Sequence, residues 1–63
     1  MQKYQERVIE EKADLDGKIE RLLTFVKGDV FGNLPDDEQG RMTKQLQYMR
    51  GYSDVLQERI NVF

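Results

Sequence analysis

Cations and tyrosine rings near both ends of the chain are the side chains best suited to chemistry in this sequence. An arginine guanidinium can donate paired hydrogen bonds to phosphate oxygens, and a tyrosine ring can stack on a base or shield a pocket from water. Nucleotide recognition uses both kinds of group together. The candidate ligand-binding residues are Tyr4, Arg7, Lys12, Tyr52 and Arg59. They fall in two segments far apart in sequence, so the fold has to bring these segments together.

The rest of the composition argues against catalysis. The chain has no cysteine and no histidine, which removes thiol nucleophiles, cysteine-based zinc sites and the commonest general base. Acidic residues are numerous, but most of them lie off the apolar seam described below and are typical of a solvated helix face. We therefore expect no enzyme activity, no metal site and no cofactor.

Length, charge and hydropathy restrict the remaining classes of protein. A chain of 63 residues can form one small domain. Its ten basic and twelve acidic residues give a net charge of −2, which argues against a protein that binds duplex DNA. No apolar run approaches the roughly 18 residues of a membrane span, and the N-terminus lacks the apolar core of a signal peptide. We expect a cytoplasmic, all-α protein with no DNA or membrane partner.

A heptad pattern predicts two long helices joined by a short turn. Apolar residues recur at alternating spacings of four and three in both halves of the chain. The first helix is expected at about residues 2–27 and the second at about 35–62. Gly28 is predicted to end the first helix in a left-handed conformation. The second helix is expected to begin either with Pro35 as its first residue or with a capping box from Asp36 to Gln39.

The turn at about residues 28–34 holds three apolar residues that are expected to fill the tip of the hairpin: Val30, Phe31 and Leu34. Seven residues is a usual length for a helix–helix connection. The two helices therefore pair antiparallel as one coiled-coil-like hairpin over residues 1–63.

Antiparallel pairing places Lys12 opposite Ser53 in a polar layer between apolar ones. Two interpretations of Lys12 remain open at this point: a register-setting layer in which the lysine reaches a carboxylate, or a cation directed at an anionic ligand. The same register sets Tyr4 and Arg7 level with the segment that carries Arg59. Arg7 could instead pair with an acidic residue one turn along its helix.

A second stripe on the second helix lies about 100° around the helix from the first. It consists of Tyr48, Tyr52, Val55, Arg59 and Val62. A two-helix hairpin has no third element to cover this stripe, and exposed aromatic patches mark interaction sites. Self-association into a homo-oligomer is the economical interpretation. The alternative is a monomer with scattered surface tyrosines.

The segments "YQERVIEEKADLDGKIERL", "LPDDEQGRMTKQLQYM" and "YSDVLQERI" resemble a family of short phage proteins. The family has a helical-hairpin domain shared by anti-CBASS cyclic-nucleotide sponges and the Thoeris anti-defence sponge. The resemblance implies a homo-hexamer in the cytoplasm of an infected bacterial cell. It also implies capture of cyclic oligonucleotide or cyclic ADP-ribose type signals without cleavage.

Residues and resemblance together predict an all-α, antiparallel two-helix hairpin that assembles into a homo-oligomer and holds its ligand between copies. The five candidate ligand-binding residues come from the chemistry of the side chains and not from the resemblance. The alternative function is a small protein–protein interaction module of a phage, acting through Tyr48, Tyr52 and Val55.

Overall fold

A computed structural model describes all residues from 1 to 63. It contains two long helices, α1 (Lys3–Val26) and α3 (Asp36–Asn61), with a short helix α2 (Asp29–Gly32) between them. The long helices pack against each other as a hairpin that measures 46 × 15 × 13 Å. The all-α hairpin expected from the heptad pattern is confirmed.

The end of α1 differs from the sequence prediction. Gly28 is extended, with φ −93° and ψ 170°, and no residue of the chain has a positive φ. The prediction of a left-handed glycine stop was therefore wrong. The last turn closes instead through the backbone N–H groups of Lys27 and Gly28, which donate to the carbonyl oxygens of Thr24 and Phe25. Gly28 then serves as the N-cap of α2, so the chain changes direction without a left-handed residue.

The short helix α2 closes the tip of the hairpin. Phe31 packs edge-on against Phe25 with ring centroids 6.4 Å apart, and Leu34 is half-buried. Val30 is 64% exposed, so it does not join these two residues as the sequence suggested. The helical winding of residues 29–32 turns Val30 outward when Phe31 faces α1, because adjacent helical residues point about 100° apart.

The start of α3 follows neither of the two predicted arrangements. Pro35 occupies the N-cap position and Asp36 is the first helical residue. The amide of Gln39 donates to the carbonyl oxygens of Leu34 (2.8 Å) and Gly32 (3.3 Å), so it fastens the connection to the helix. The three acidic residues that open α3 suit the positive end of the helix dipole.

The core is a narrow seam between α1 and α3. Only six of 63 residues are buried, and the apolar members are Val8, Leu15, Ile19, Leu46 and Leu56. The sixth is Ser53, which contacts Lys12 across the hairpin as the predicted register requires. Isolated helices are marginal in water and depend on packing. A seam this small gives limited stability to a single hairpin.

Replacing Gly51, in the middle of α3, is expected to stabilise the hairpin. Gly51 is exposed, helical and has open space where a Cβ would be placed. We expect Gly51→Ala to raise the free energy of unfolding by about 0.5–1 kcal/mol, because alanine loses less conformational entropy on forming a helix. Urea denaturation at a fixed protein concentration, with Gly40→Ala as a second open helical position, measures the change. A destabilised Gly51→Ala would show that another chain approaches the helix there.

Candidate ligand site

The polar layer of the hairpin is a closed set of hydrogen bonds. Lys12 Nζ donates to Asp16 Oδ2 at 2.7 Å and to Ser53 Oγ at 3.1 Å. The Ser53 hydroxyl in turn donates to Asp16 Oδ1 at 2.6 Å. Asp16 lies one turn along α1 from Lys12, so both share one face of the helix. Lys12 thus reaches a carboxylate inside its own chain, which supports its interpretation as part of a register-setting layer.

Asp16 is held in its ionised form by this layer. The hydrogen bond from Lys12 contributes most to lowering the pKa of Asp16 below its ordinary value, and the hydrogen bond from Ser53 adds to it. Partial desolvation opposes the shift, and the positive charge of Lys12 supports it. The carboxylate therefore accepts both bonds at neutral pH.

The lowered pKa of Asp16 predicts a pH dependence of stability. A carboxyl group whose pKa is depressed by folding stabilises the fold above its unfolded pKa of about 3.9, and this contribution is lost as pH falls through the folded value. We expect wild type to be more stable than Asp16→Asn at pH 6, with the difference shrinking as the pH falls below about 4. Urea denaturation of both proteins between these conditions gives the difference directly. A difference that stays constant across the range contradicts the assignment.

At the open end of the hairpin, Tyr4 packs against the C-terminal residue. Its ring lies edge-on to Phe63 with centroids 5.9 Å apart and an interplanar angle of 75°. Tyr4 nevertheless stays 52% exposed. The contact with Phe63 therefore leaves about half of Tyr4 accessible to solvent.

A groove along one side of the hairpin brings together two of the five candidate residues, Arg7 and Tyr52. We name it the mixed groove, and it has a volume of about 370 Å³. Its lining residues are Arg7, Glu10, Glu11, Asp14, Leu15, Lys18 and Tyr52. Two cations and three carboxylates leave it a formal charge of −1. Tyr4, Lys12 and Arg59 do not line this groove, and Arg7 forms no ion pair with Glu11.

A second groove lies along α3 and shares Tyr52 with the first. We name it the cationic groove, with a volume of about 410 Å³ and the lining residues Arg41, Lys44, Gln45, Tyr48, Met49 and Tyr52. It contains two cations and no carboxylate. Arg41 pairs with Glu38 at 2.9 Å and with Asp37 at 3.5 Å, and Lys44 forms no ion pair.

Arg41 and Lys44 were not among the residues selected from the sequence. The sequence does indicate a cationic surface here, because no acidic residue occurs between Gly40 and Ser53. Cations and aromatic residues in that stretch recur at spacings of three and four, which places them on one face of a helix.

The second stripe of α3 is exposed in the hairpin. Tyr48 is 71% exposed, Tyr52 47%, Val55 52% and Val62 85%. Arg59 lies on the same stripe, is exposed and forms no ion pair within the chain. A surface that combines tyrosines with an unpaired arginine is suited to contact with a partner or a ligand.

Two further features of the structure concern metal ligands and membrane-spanning helices. No group of three or more acidic side chains is arranged to hold a metal ion. Neither long helix combines the length and the apolar character needed to cross a bilayer.

Comparison with curated proteins and with solved structures found no significant match. A family model described as Sequestin does match, over residues 2–62, and so covers nearly the whole hairpin. This match fits the resemblance to sponge-type anti-defence proteins. The helical hairpin with its exposed tyrosine stripe is accordingly a member of the Sequestin family.

Proposed function

We propose that the chain is a phage anti-defence sponge. In this role it sequesters a cyclic oligonucleotide or cyclic ADP-ribose type signal without cleaving it. The family match over residues 2–62 supports a sequestering role. The structural observation that carries the proposal is the exposed ring of Tyr52, which lines both grooves and has cations on either side. Stoichiometric capture would keep the signal from the host effector, in the cytoplasm of the infected cell.

The proposed contacts follow from the chemistry of the accessible side chains. Arg7 and Arg59 would donate charge-assisted hydrogen bonds to phosphate oxygens, and the Tyr52 ring would stack on a base. Tyr4, which lines neither groove, would contact the ligand from the open end of the hairpin. Lys12 would act as a supplementary cation near the ligand. Its ammonium group already binds Asp16 and Ser53, so its contribution to the ligand would be smaller than that of the two arginines.

Capture is proposed to take place between copies of the chain in a homo-oligomer, with a hexamer expected. Two structural features support association: the core of the single hairpin is small, and the apolar stripe of α3 is uncovered. Burial of that stripe would add hydrophobic stabilisation that one hairpin lacks. Partial desolvation of the pocket would strengthen the bonds to phosphate.

A binding screen tests the proposal. Isothermal titration calorimetry with cyclic dinucleotides, cyclic trinucleotides and cyclic ADP-ribose isomers should show tight binding of at least one of them. Chromatography of the ligand released by denaturation should then recover it intact. Breakdown products would identify an enzyme, and no binding across the panel would contradict the sponge.

The second candidate function is a protein–protein interaction module without a nucleotide ligand. This alternative requires an exposed apolar surface for the partner protein, and the exposed side chains of Tyr48, Tyr52 and Val55 provide one. Size-exclusion chromatography with light scattering separates the two functions in part. A closed homo-oligomer supports the sponge, whereas a monomer or a simple dimer with an open stripe supports the module.

A further inference from the structure

The carboxylates of the mixed groove have no cationic partner within the chain. The three ion pairs of the hairpin are Lys12–Asp16, Arg41–Asp37 and Arg41–Glu38, and none of them involves Glu10, Glu11 or Asp14. With a formal charge of −1, the groove that contains Arg7 and Tyr52 disfavours a phosphate group, because the carboxylates repel it. The mixed groove of a single hairpin therefore lacks the positive charge that an anion-binding site needs.

The cationic groove carries the complementary charge and shares Tyr52 with the mixed groove. Lys44 has no ion-pair partner, and the two ion pairs of Arg41 join side chains that are 44–73% exposed. Exposed pairs of this kind contribute little to stability, so Arg41 can exchange its partners at small cost. Both grooves adjoin Tyr52, so one approaching molecule could cover parts of both.

The two sets of charges form no ion pair inside one hairpin. The bond from Lys12 to Ser53 sets the acidic part of α1 level with the middle of α3. In this register Asp14 is level with residue 51, so Lys44 and Arg41 lie about 7 and 10 residues, or about 10 and 15 Å along the helix axis, from its level toward the turn. A contact between these groups therefore requires two molecules.

We propose that Arg41 and Lys44 of a second copy enter the mixed groove and neutralise its carboxylates, Glu10, Glu11 and Asp14. Two added cations change the formal charge of the groove from −1 to +1, so a phosphate group is accepted only in the assembly. The second copy is the occupant because its charge is complementary and because a core of six buried residues leaves the hairpin in need of further packing. Tyr48, beside these cations, becomes covered in the same contact.

This inference rests on the proposed self-association and specifies which surfaces meet. A reciprocal charge reversal tests it. The first variant carries Glu11→Lys and Asp14→Lys, and the second carries Arg41→Glu and Lys44→Glu. In each variant alone the meeting surfaces have like charges, so we expect the association constant to fall by at least about tenfold. In an equimolar mixture opposite charges face each other again, and the assembly should return.

Sedimentation velocity at low salt measures the assembly, and circular dichroism verifies that each variant is helical. The matched control, Lys27→Glu with Arg50→Glu, makes the same change in net charge as the second variant, at two exposed positions outside both grooves. It should assemble as wild type does. Calorimetry of the mixture with the panel of cyclic nucleotides should show capture that neither variant shows alone.

Three outcomes would overturn the inference: either variant assembling alone as wild type does, a mixture that stays dissociated, or a control that dissociates to the same extent. If one of these outcomes is observed while the wild-type oligomer still captures a cyclic nucleotide, only the inference about the interface is wrong and the proposed function is unaffected. A wild-type chain that remains monomeric and binds nothing in the panel contradicts the proposed function itself.

Discussion

Leu56→Ala is expected to lower the free energy of unfolding by about 2–4 kcal/mol. Leu56 is 1% exposed, the most completely buried side chain of the hairpin. Truncation removes its apolar surface from the seam between α1 and α3 and leaves a cavity beside Val8, its predicted partner across the hairpin. A 63-residue domain of ordinary stability has about 3–9 kcal/mol in total. The substitution thus removes a large share of the stability.

Urea denaturation followed by circular dichroism, at one protein concentration, measures this loss. The matched control is Val30→Ala, since Val30 is an apolar residue of α2, lies outside the second stripe and is 64% exposed. Its effect should stay within about 0.5 kcal/mol, as is usual for surface positions. Equal effects of the two substitutions would show that the seam between α1 and α3 is not the main source of stability.

Arg59→Ala is expected to weaken capture of the cyclic nucleotide by about 10- to 100-fold, or about 1.4–2.7 kcal/mol, the range for charge-assisted hydrogen bonds to a phosphate. Arg59 is exposed and unpaired within the chain, so its removal leaves no buried charge behind. The helicity and the oligomeric state should remain those of wild type. Calorimetry against the best ligand of the panel gives the ratio of dissociation constants.

Arg50→Ala is the matched control for Arg59→Ala. Arg50 is an exposed arginine of α3 that lines neither groove, and its removal changes the net charge by the same amount. We expect it to leave the affinity within about a factor of two, because Arg50 lines neither groove and lies about 200° around α3 from Tyr52. An unchanged affinity of Arg59→Ala would remove Arg59 from the site. Equal losses in both variants would indicate a nonspecific effect of charge.

Most of the fold was predictable because it depends on short-range periodicity. Heptad spacing is a local property of the sequence, and it gave both long helices. The pairing of Lys12 with Ser53 followed from aligning the two heptads, and the bond between them confirms that alignment. Asp16, the carboxylate that completes the polar layer, lies one turn from Lys12 and could have been named from that spacing.

The connection between the helices was not predictable in the same way. Its conformation depends on how Phe25 and Phe31 meet at the tip, which is a contact between elements and not a local preference. Gly28 has the residue type of a left-handed cap, but the chain enters α2 directly and no positive φ is required. Glycine makes such a conformation accessible without making it necessary.

The sequence pattern also did not predict which charged residues share a groove. Arg7 and Tyr52 were selected for their chemistry, and the structure does place them in one groove. The charge of that groove depends on the carboxylates that share it, which the spacing of the cations does not reveal. The resemblance to a family indicated the kind of ligand, and the residues that hold the ligand remain a prediction.

The polar layer also has a consequence for how the hairpin can change over evolution. Sliding one helix by a whole heptad keeps heptad positions opposite heptad positions, yet it would set Lys12 opposite Ile60 or Leu46. The ammonium group would then lose the Ser53 hydroxyl and lie against a hydrocarbon side chain, which is unfavourable. The polar layer therefore disfavours misaligned hairpins, and an insertion of one heptad between this layer and the turn in one helix calls for a matching insertion in the other.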